Sequence, residues 1–159
     1  MCYNIYDIFM KGFFLMQNNI ELLSPVGDFD CLRAAVQNGA DCVYFGGSSF
    51  NARAQATNFD ENSLVEAIRY AKLRNVKVNF TLNILLKDEE LEDAKKLAKT
   101  VYEAGADAII VQDLGFAKYL IDTYPDMDIH ASTQMTVHNL QGALQLQQYG
   151  FKRVVLSRE

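Results

Sequence analysis

Gly39-Ala40-Asp41-Cys42-Val43-Tyr44 recurs 66 residues later as Gly105-Ala106-Asp107-Ala108-Ile109-Ile110, and Gly150-Phe151-Lys152-Arg153-Val154-Val155 is a looser third copy. Each copy carries a glycine suited to end a helix, a polar turn and an apolar strand. The separation of the first two copies is about two β/α units. Reading outward from them, short β-rich apolar runs start near residues 20, 42, 76, 108, 128 and 154, a mean spacing of about 27 residues. Segments of helical period lie between the runs, at about 29–38, 60–74, 88 onward, 114–123 and 137–149. Asp60 is a fitting N-cap for the second helix and Asp88 for the third. No hairpin signal such as Asn-Gly occurs, and strands joined by helices run parallel through right-handed crossovers. Regular repetition of one unit predicts an α/β fold, a partial (β/α)8 TIM-type barrel with about six parallel strands, truncated after the sixth. The alternative is a doubly wound sheet, but no G-x-G-x-x-G follows the first strand.

The rest of the composition narrows the class. The chain has 159 residues, 50% hydrophobic and 22% charged, with fifteen basic and twenty acidic residues for a net charge of −5. No apolar run approaches the ~20 residues needed to span a bilayer. Nucleic-acid binding through bulk charge would call for a basic chain, so any such binding needs a local patch. Three cysteines, at positions 2, 31 and 42, show no C-x-x-C spacing. The expectation is a cytoplasmic protein without a disulfide framework and without a metal site of its own. Residues 1–15 read as a mis-annotated or disordered leader, with Met16 as the natural start and 16–159 as the barrel portion. The acidic start and basic end of the helix after Asp88 suit the helix dipole and read as a solvated face.

Barrel chemistry sits at the C-terminal ends of strands. Those ends carry Gly46, Gly47, Asn51, Arg53 and Asn58 after the second run, Asn83 after the third, and Gln112 and Asp113 after the fourth. His130, Ser132, Thr133 and Gln134 follow on the fifth, and Ser157, Arg158 and Glu159 end the sixth. The set of amides, hydroxyls and arginines suits a polar ligand that is anionic or rich in amides. Each member has a plainer reading. Gly46-Gly47 is a phosphate cradle or a tight turn, and no helix starts close enough to add its dipole. His130 is a general base, or a polar residue of the core or facing the substrate. It shares a strand face with Ser132, but i and i+2 backbones lie ~6.6 Å apart, which disfavours a Ser–His pair. Asp113 is a site carboxylate or an N-cap. Arg158 and Glu159 form an ion pair or face the ligand. His138 is a surface or capping residue, and Cys31 and Cys42 are packed thiols. No H-E-x-x-H, G-x-S-x-G or Walker loop is present.

These residues resemble the collagenase-like peptidase family U32. The matching stretches are Glu21-Leu22-Leu23-Ser24-Pro25-Val26-Gly27, Gly39 to Gly47 as quoted above with Phe45-Gly46-Gly47 added, and the loop positions Phe50, Arg53, Ala54, Ala56, Asn58 and Phe59. Further matches are Val78-Asn79-Phe80-Thr81-Leu82-Asn83, Asp107 to Asp113, His130-Ala131-Ser132-Thr133-Gln134 and Val154-Val155-Leu156-Ser157-Arg158-Glu159. The resemblance implies a barrel protein. It also implies one of two activities: RNA hydroxylation, including prephenate-dependent 5-hydroxylation of the tRNA wobble uridine, or a collagenase-like peptidase of unassigned mechanism. A third alternative is a non-catalytic split subunit whose missing strands come from a separate chain. The family's 4Fe-4S iron–sulfur cluster is held near a box resembling Glu-x-Phe-x-x-Gly-x-x-Cys, expected beyond residue 159, so this chain is expected to bind no cofactor itself and to be inactive alone. The expected partners are tRNA or another RNA and a small anionic donor such as prephenate, or else a peptide, with no membrane. On this reading Arg53 and Arg158 bind the anion, while Asn58, Asn83, Gln112, Ser132, Thr133 and Gln134 orient the substrate. His130, Asp113 and Glu159 are the catalytic candidates.

Overall fold

The computed structural model describes residues 2–4, 20–52 and 59–158. Arg53, Asn58 and Glu159 lie outside the described residues. In chain order the elements are β1 (Cys2–Asn4), β2 (Leu23–Pro25), α1 (Phe29–Gln37), β3 (Cys42–Gly46), α2 (Glu61–Lys72), β4 (Lys77–Leu82), α3 (Leu91–Glu103), β5 (Ala108–Val111), α4 (Leu114–Thr123), β6 (Asp128–Ala131), α5 (Leu140–Tyr149) and β7 (Arg153–Val155). Strands β2 to β7 are six parallel neighbours in sequential order. A doubly wound sheet reverses its strand order at a switch point. No reversal occurs among these six, and the sheet curls as a partial barrel. Of the segment 1–15, Cys2–Asn4 is described, and it pairs antiparallel with β7.

The sequence repeat has a physical cause. Gly39, Gly105 and Gly150 all adopt left-handed φ values, +85°, +92° and +113°, after a helix. The residue after each glycine donates back to the helix: Ala40 to Ala35, Ala106 to Val101 and Phe151 to Leu146. The repeated aspartates then tie each new strand to the one before it. Asp41 Oδ2 accepts from Leu22 N at 2.7 Å, and Asp107 Oδ2 accepts from Val78 N at 2.8 Å. Helix starts are set by side-chain caps. Asp28, Asp60, Asp113 and Asn139 each accept from a backbone N–H three residues on.

Three boundaries differ from the sequence expectation. The first strand begins at Leu23 rather than Ile20, which is 86% exposed. Asp88 opens a 3-10 turn, Asp88–Glu90, and the α-helix starts at Leu91. The last helix starts at Leu140 because Asn139 caps it, leaving His138 in the preceding loop.

Alternation along the strands sorts two kinds of side chain. Val43, Phe45, Val78, Phe80, Leu82, Ile109, Val111, Ile129 and Val154 pack into one core with Leu32, Leu64, Ile68, Val101, Phe116 and Leu120 of the helices. The intervening residues face the concave side, the lumen, and include Asn79, Thr81 and His130, all buried. At the strand starts, Glu21 spans this lumen. Its Oε2 accepts from Arg153 Nη1 at 2.7 Å, and its Oε1 from Lys77 Nζ at 3.2 Å. Residues preceding the first and opening the last of the six parallel strands thus meet, which is direct evidence of the curl. Among the described residues, no helix is long and apolar enough to cross a membrane.

Candidate functional site

A cavity of about 500 Å³ opens in the lumen toward the C-terminal strand ends. Its wall includes Tyr44, Asn51, Thr81, Asn83, Ser132 and Gln134, with Leu23, Ile110 and Val155 supplying apolar surface. Among the described residues, none of those lining it is charged. The aspect of the site is set by a close approach at Gly46. A Cβ there would stand 2.6 Å from Thr81 Oγ1 and 2.5 Å from Asn51 Cγ, with Asn51 Nδ2 nearer still. Only a residue without a side chain lets Asn51 fold over the end of β3 (Cys42–Gly46) and sit buried against the lumen. Gly47 next to it bridges Phe59, and α2 begins only at Glu61. The pair therefore ends the strand and extends it in a bridge rather than making a tight turn, and no helix N-terminus lies beside it among the described residues.

Hydrogen bonds join the strand ends into a chain. Ala52 N donates to Asn83 Oδ1 at 3.1 Å, and Asn83 Nδ2 donates to Ser132 Oγ at 3.3 Å. Gln134 N also donates to Ser132 Oγ, and Gln112 Nε2 donates to the Gln134 carbonyl. Ser157 Oγ donates to the Thr133 and Val137 carbonyls, tying the end of β7 to the turn after β6. That turn, Thr133–Met135, ends at Thr136 with φ of +59°, a left-handed conformation that a β-branched residue rarely adopts. The structure thus brings together five of the residues expected from the sequence: Asn83, Gln112, Ser132, Thr133 and Gln134. Asn83, Ser132, Thr133 and Gln134 line the cavity, and Gln112 supports Gln134 from outside it.

The remaining candidates go elsewhere. Asp113 caps α4 (Leu114–Thr123): its Oδ1 accepts from Phe116 N at 2.8 Å and its Oδ2 from Leu86 N at 3.3 Å. Arg158 is exposed and does not line the cavity. His138 is exposed, with Nδ1 3.4 Å from the Thr136 carbonyl. His130 is 4% exposed, and among the described residues its Nδ1 has no hydrogen-bond partner. Burial, then the adjacent Arg153 charge, push its pKa down to about 3, with Glu21 opposing and Lys77 adding to the fall. The ring is neutral at pH 7. Ser132 Oγ is engaged by Asn83 and Gln134, and no Ser132–His130 hydrogen bond forms. The pair lacks the geometry of an activated nucleophile.

Thr81, Tyr44 and Asn79 were not singled out from the sequence as site residues. They sit inside strands, where a polar residue in an apolar run signals the lumen face only once the inner and outer faces are known. The cysteines do not suit an iron–sulfur cluster, which normally takes four thiolates. The chain has three. Cys31 is exposed on α1, while Cys42 is buried on the lumen side with its thiol pushed up to about 12, first by burial. Among the described residues no three His, Cys, Asp or Glu groups converge as a metal site.

A sheet of this order with its chemistry at the strand ends defines a TIM-type barrel protein, and known proteins narrow that further. The family model for peptidase family U32 matches residues 27–159, and the chain belongs to that family. It is 40% identical over 142 residues to the 23S rRNA 5-hydroxycytidine synthase of Escherichia coli, covering 89% of this chain and 21% of that protein. It is 32% identical to tRNA hydroxylation protein P1 of Bacillus subtilis, covering 87% and 33%. It is also 32% identical to a collagenase of Porphyromonas gingivalis, covering 89% and 34%. The chain thus spans a fifth to a third of the length of these curated relatives. Among solved structures, a U32 peptidase superposes with a TM-score of 0.63 at 13% identity, covering 87% of this chain and 59% of that one.

Proposed function

We propose that this chain supplies part of the substrate-binding lumen of an RNA hydroxylation protein, one that adds a hydroxyl group to a pyrimidine of tRNA or ribosomal RNA. The observation that carries the reading is the character of the cavity wall. Asn51, Asn83 and Gln134 offer amides, while Thr81, Ser132 and Thr133 offer hydroxyls, beside an apolar surface. Amides and hydroxyls read the donors and acceptors of a base edge, and an unstacked base enters a pocket of this kind edge-on. The similarity to the two RNA hydroxylation proteins favours the same substrate class.

On this reading the cytoplasm is the working compartment and a small anionic donor such as prephenate takes part. Arg53 contacts that donor, while Arg158, exposed and off the cavity wall, does not. The roles of this chain's residues are binding and orientation. Asn83 and Ser132 hold each other in fixed rotamers, so the wall is set before the substrate arrives. That lowers the ordering cost of binding.

The similarity to the collagenase favours a second reading, a peptidase. It finds less support among the described residues, where Ser132 and His130 are not hydrogen-bonded to each other and no other nucleophile lies beside a base. Nucleoside mass spectrometry separates the two. In a strain lacking the gene, 5-hydroxyuridine in tRNA or 5-hydroxycytidine in 23S rRNA should disappear. Unchanged nucleosides in both RNAs refute the hydroxylation reading, and cleavage of denatured collagen by the purified protein would then establish the other.

A further inference from the structure

The described residues of the mouth cavity carry no charge, yet the lumen wall continues from them into a charged group. One register row runs Thr81, Ile110, His130, Arg153 across β4, β5, β6 and β7. Thr81 and Ile110 line the cavity, and the next two positions carry an imidazole and a guanidinium. Two further facts distinguish this corner from ordinary packing. His130 Nδ1 is fully buried without a hydrogen-bond partner among the described residues, although buried polar atoms are almost always paired. Lys77 and Arg153 also share a single carboxylate, Glu21, so two cations face one anion and the triad keeps one net positive charge. A guanidinium presents five N–H donors, and the bond to Glu21 uses one nitrogen. The Arg153 side chain is 19% exposed, enough to be reached.

We propose that Arg153 and His130 form a subsite for the carboxylate group of a small molecule whose body occupies the mouth cavity. A carboxylate beside Arg153 completes the charge balance of the triad, and its second oxygen gives the imidazole the partner it lacks. A planar carboxylate matches the guanidinium fork. The neutral wall above it accommodates the uncharged remainder. The subsite deepens the reading above by placing an anionic donor on Arg153, a residue distinct from Arg53 and Arg158. Its test does not require RNA chemistry, so the two readings fail separately.

The full chain, labelled with 15N-histidine, contains two histidines, and His138→Gln assigns their signals. The probes are benzoate and its neutral near-isostere benzamide. Benzoate should shift the His130 ring signals and bind about tenfold or more tightly than benzamide, the discrimination expected of one charge-assisted contact. Arg153→Met should remove the preference. If its fold is lost, the wild-type comparison decides. A His130 signal that ignores both probes, or responds equally to both, overturns the proposal. So does a folded Arg153→Met protein that keeps the benzoate preference.

Discussion

Gly46→Ala tests whether the site geometry rests on one missing side chain. Gly46 has no positive φ, so conformation does not require glycine there and the argument is one of space. The new methyl group would meet Thr81 Oγ1 at 2.6 Å and Asn51 Cγ at 2.5 Å. Thr81 is β-branched and held inside β4, so its χ1 gives little. Asn51 must move, and it carries its loop away from the cavity. Overpacking of this kind costs about 1–3 kcal/mol. Reduced freedom of the unfolded chain returns about 0.4–1 kcal/mol. At the middle of these ranges a net loss of about 1.3 kcal/mol remains, which lowers Tm by about 3–5 °C in a chain of this size. Urea denaturation of wild type, Gly46→Ala, Asn51→Ala and the double variant closes the cycle. The double variant should regain part of the loss, because the cost of Asn51→Ala is measured alone and subtracted. Gly46→Ala within about 0.5 kcal/mol of wild type would refute the reasoning. An additive cycle would show that Asn51 is not the group displaced.

Three other outcomes follow from the same geometry. Asp113→Ala removes a cap whose two oxygens meet two backbone N–H groups, so it should cost about 1 kcal/mol in denaturant and leave benzamide binding unchanged; lost binding at unchanged stability would restore Asp113 as a site carboxylate. Burial raises the Glu21 pKa, but its hydrogen bonds and charge interactions with Arg153 and Lys77 outweigh this and lower it below 4.5. The Glu21 contribution is therefore full above the unfolded value of about 4.5 and is lost as pH falls through the folded value; Glu21→Gln should flatten that acid limb in a pH series of unfolding curves, and an unchanged limb would contradict the triad. In a Cys2→Ser protein at pH 8, iodoacetamide should alkylate exposed Cys31 and spare Cys42 until the chain unfolds, as peptide mapping would show; equal rates would contradict its burial and raised pKa.

The parallel sheet was legible because its repeat has a local cause. A left-handed glycine and an aspartate that binds the neighbouring backbone are written in the sequence at every copy but the last, where Lys152 replaces the aspartate. Caps were equally readable at Asp60 and Asp113, since one side chain within three residues decides them. The last helix start was not, because Asn139 and the left-handed Thr136 together cut off three residues of apparent helical period.

The site divides along the same line between local and long-range causes. Asn83, Ser132 and Gln134 follow strand ends, so their exposure to the mouth comes with the fold class. Thr81 and Asn79 lie inside strands whose two faces are both buried, and such strands read as apolar runs whichever way they point. Their role emerges only from register: Asn79 pairs with Ala108, and Thr81 with Ile110, on the face opposite to Phe80 and Ile109. His130 and Arg153 are the extreme case. They are 23 positions apart, each resembles a packing residue of its own strand, and only the pairing of β6 with β7 makes them neighbours. An imidazole without a partner among the described residues and a guanidinium that shares the Glu21 carboxylate with Lys77 gain a common meaning there. The unpartnered imidazole costs stability as it stands, and a bound carboxylate would relieve it.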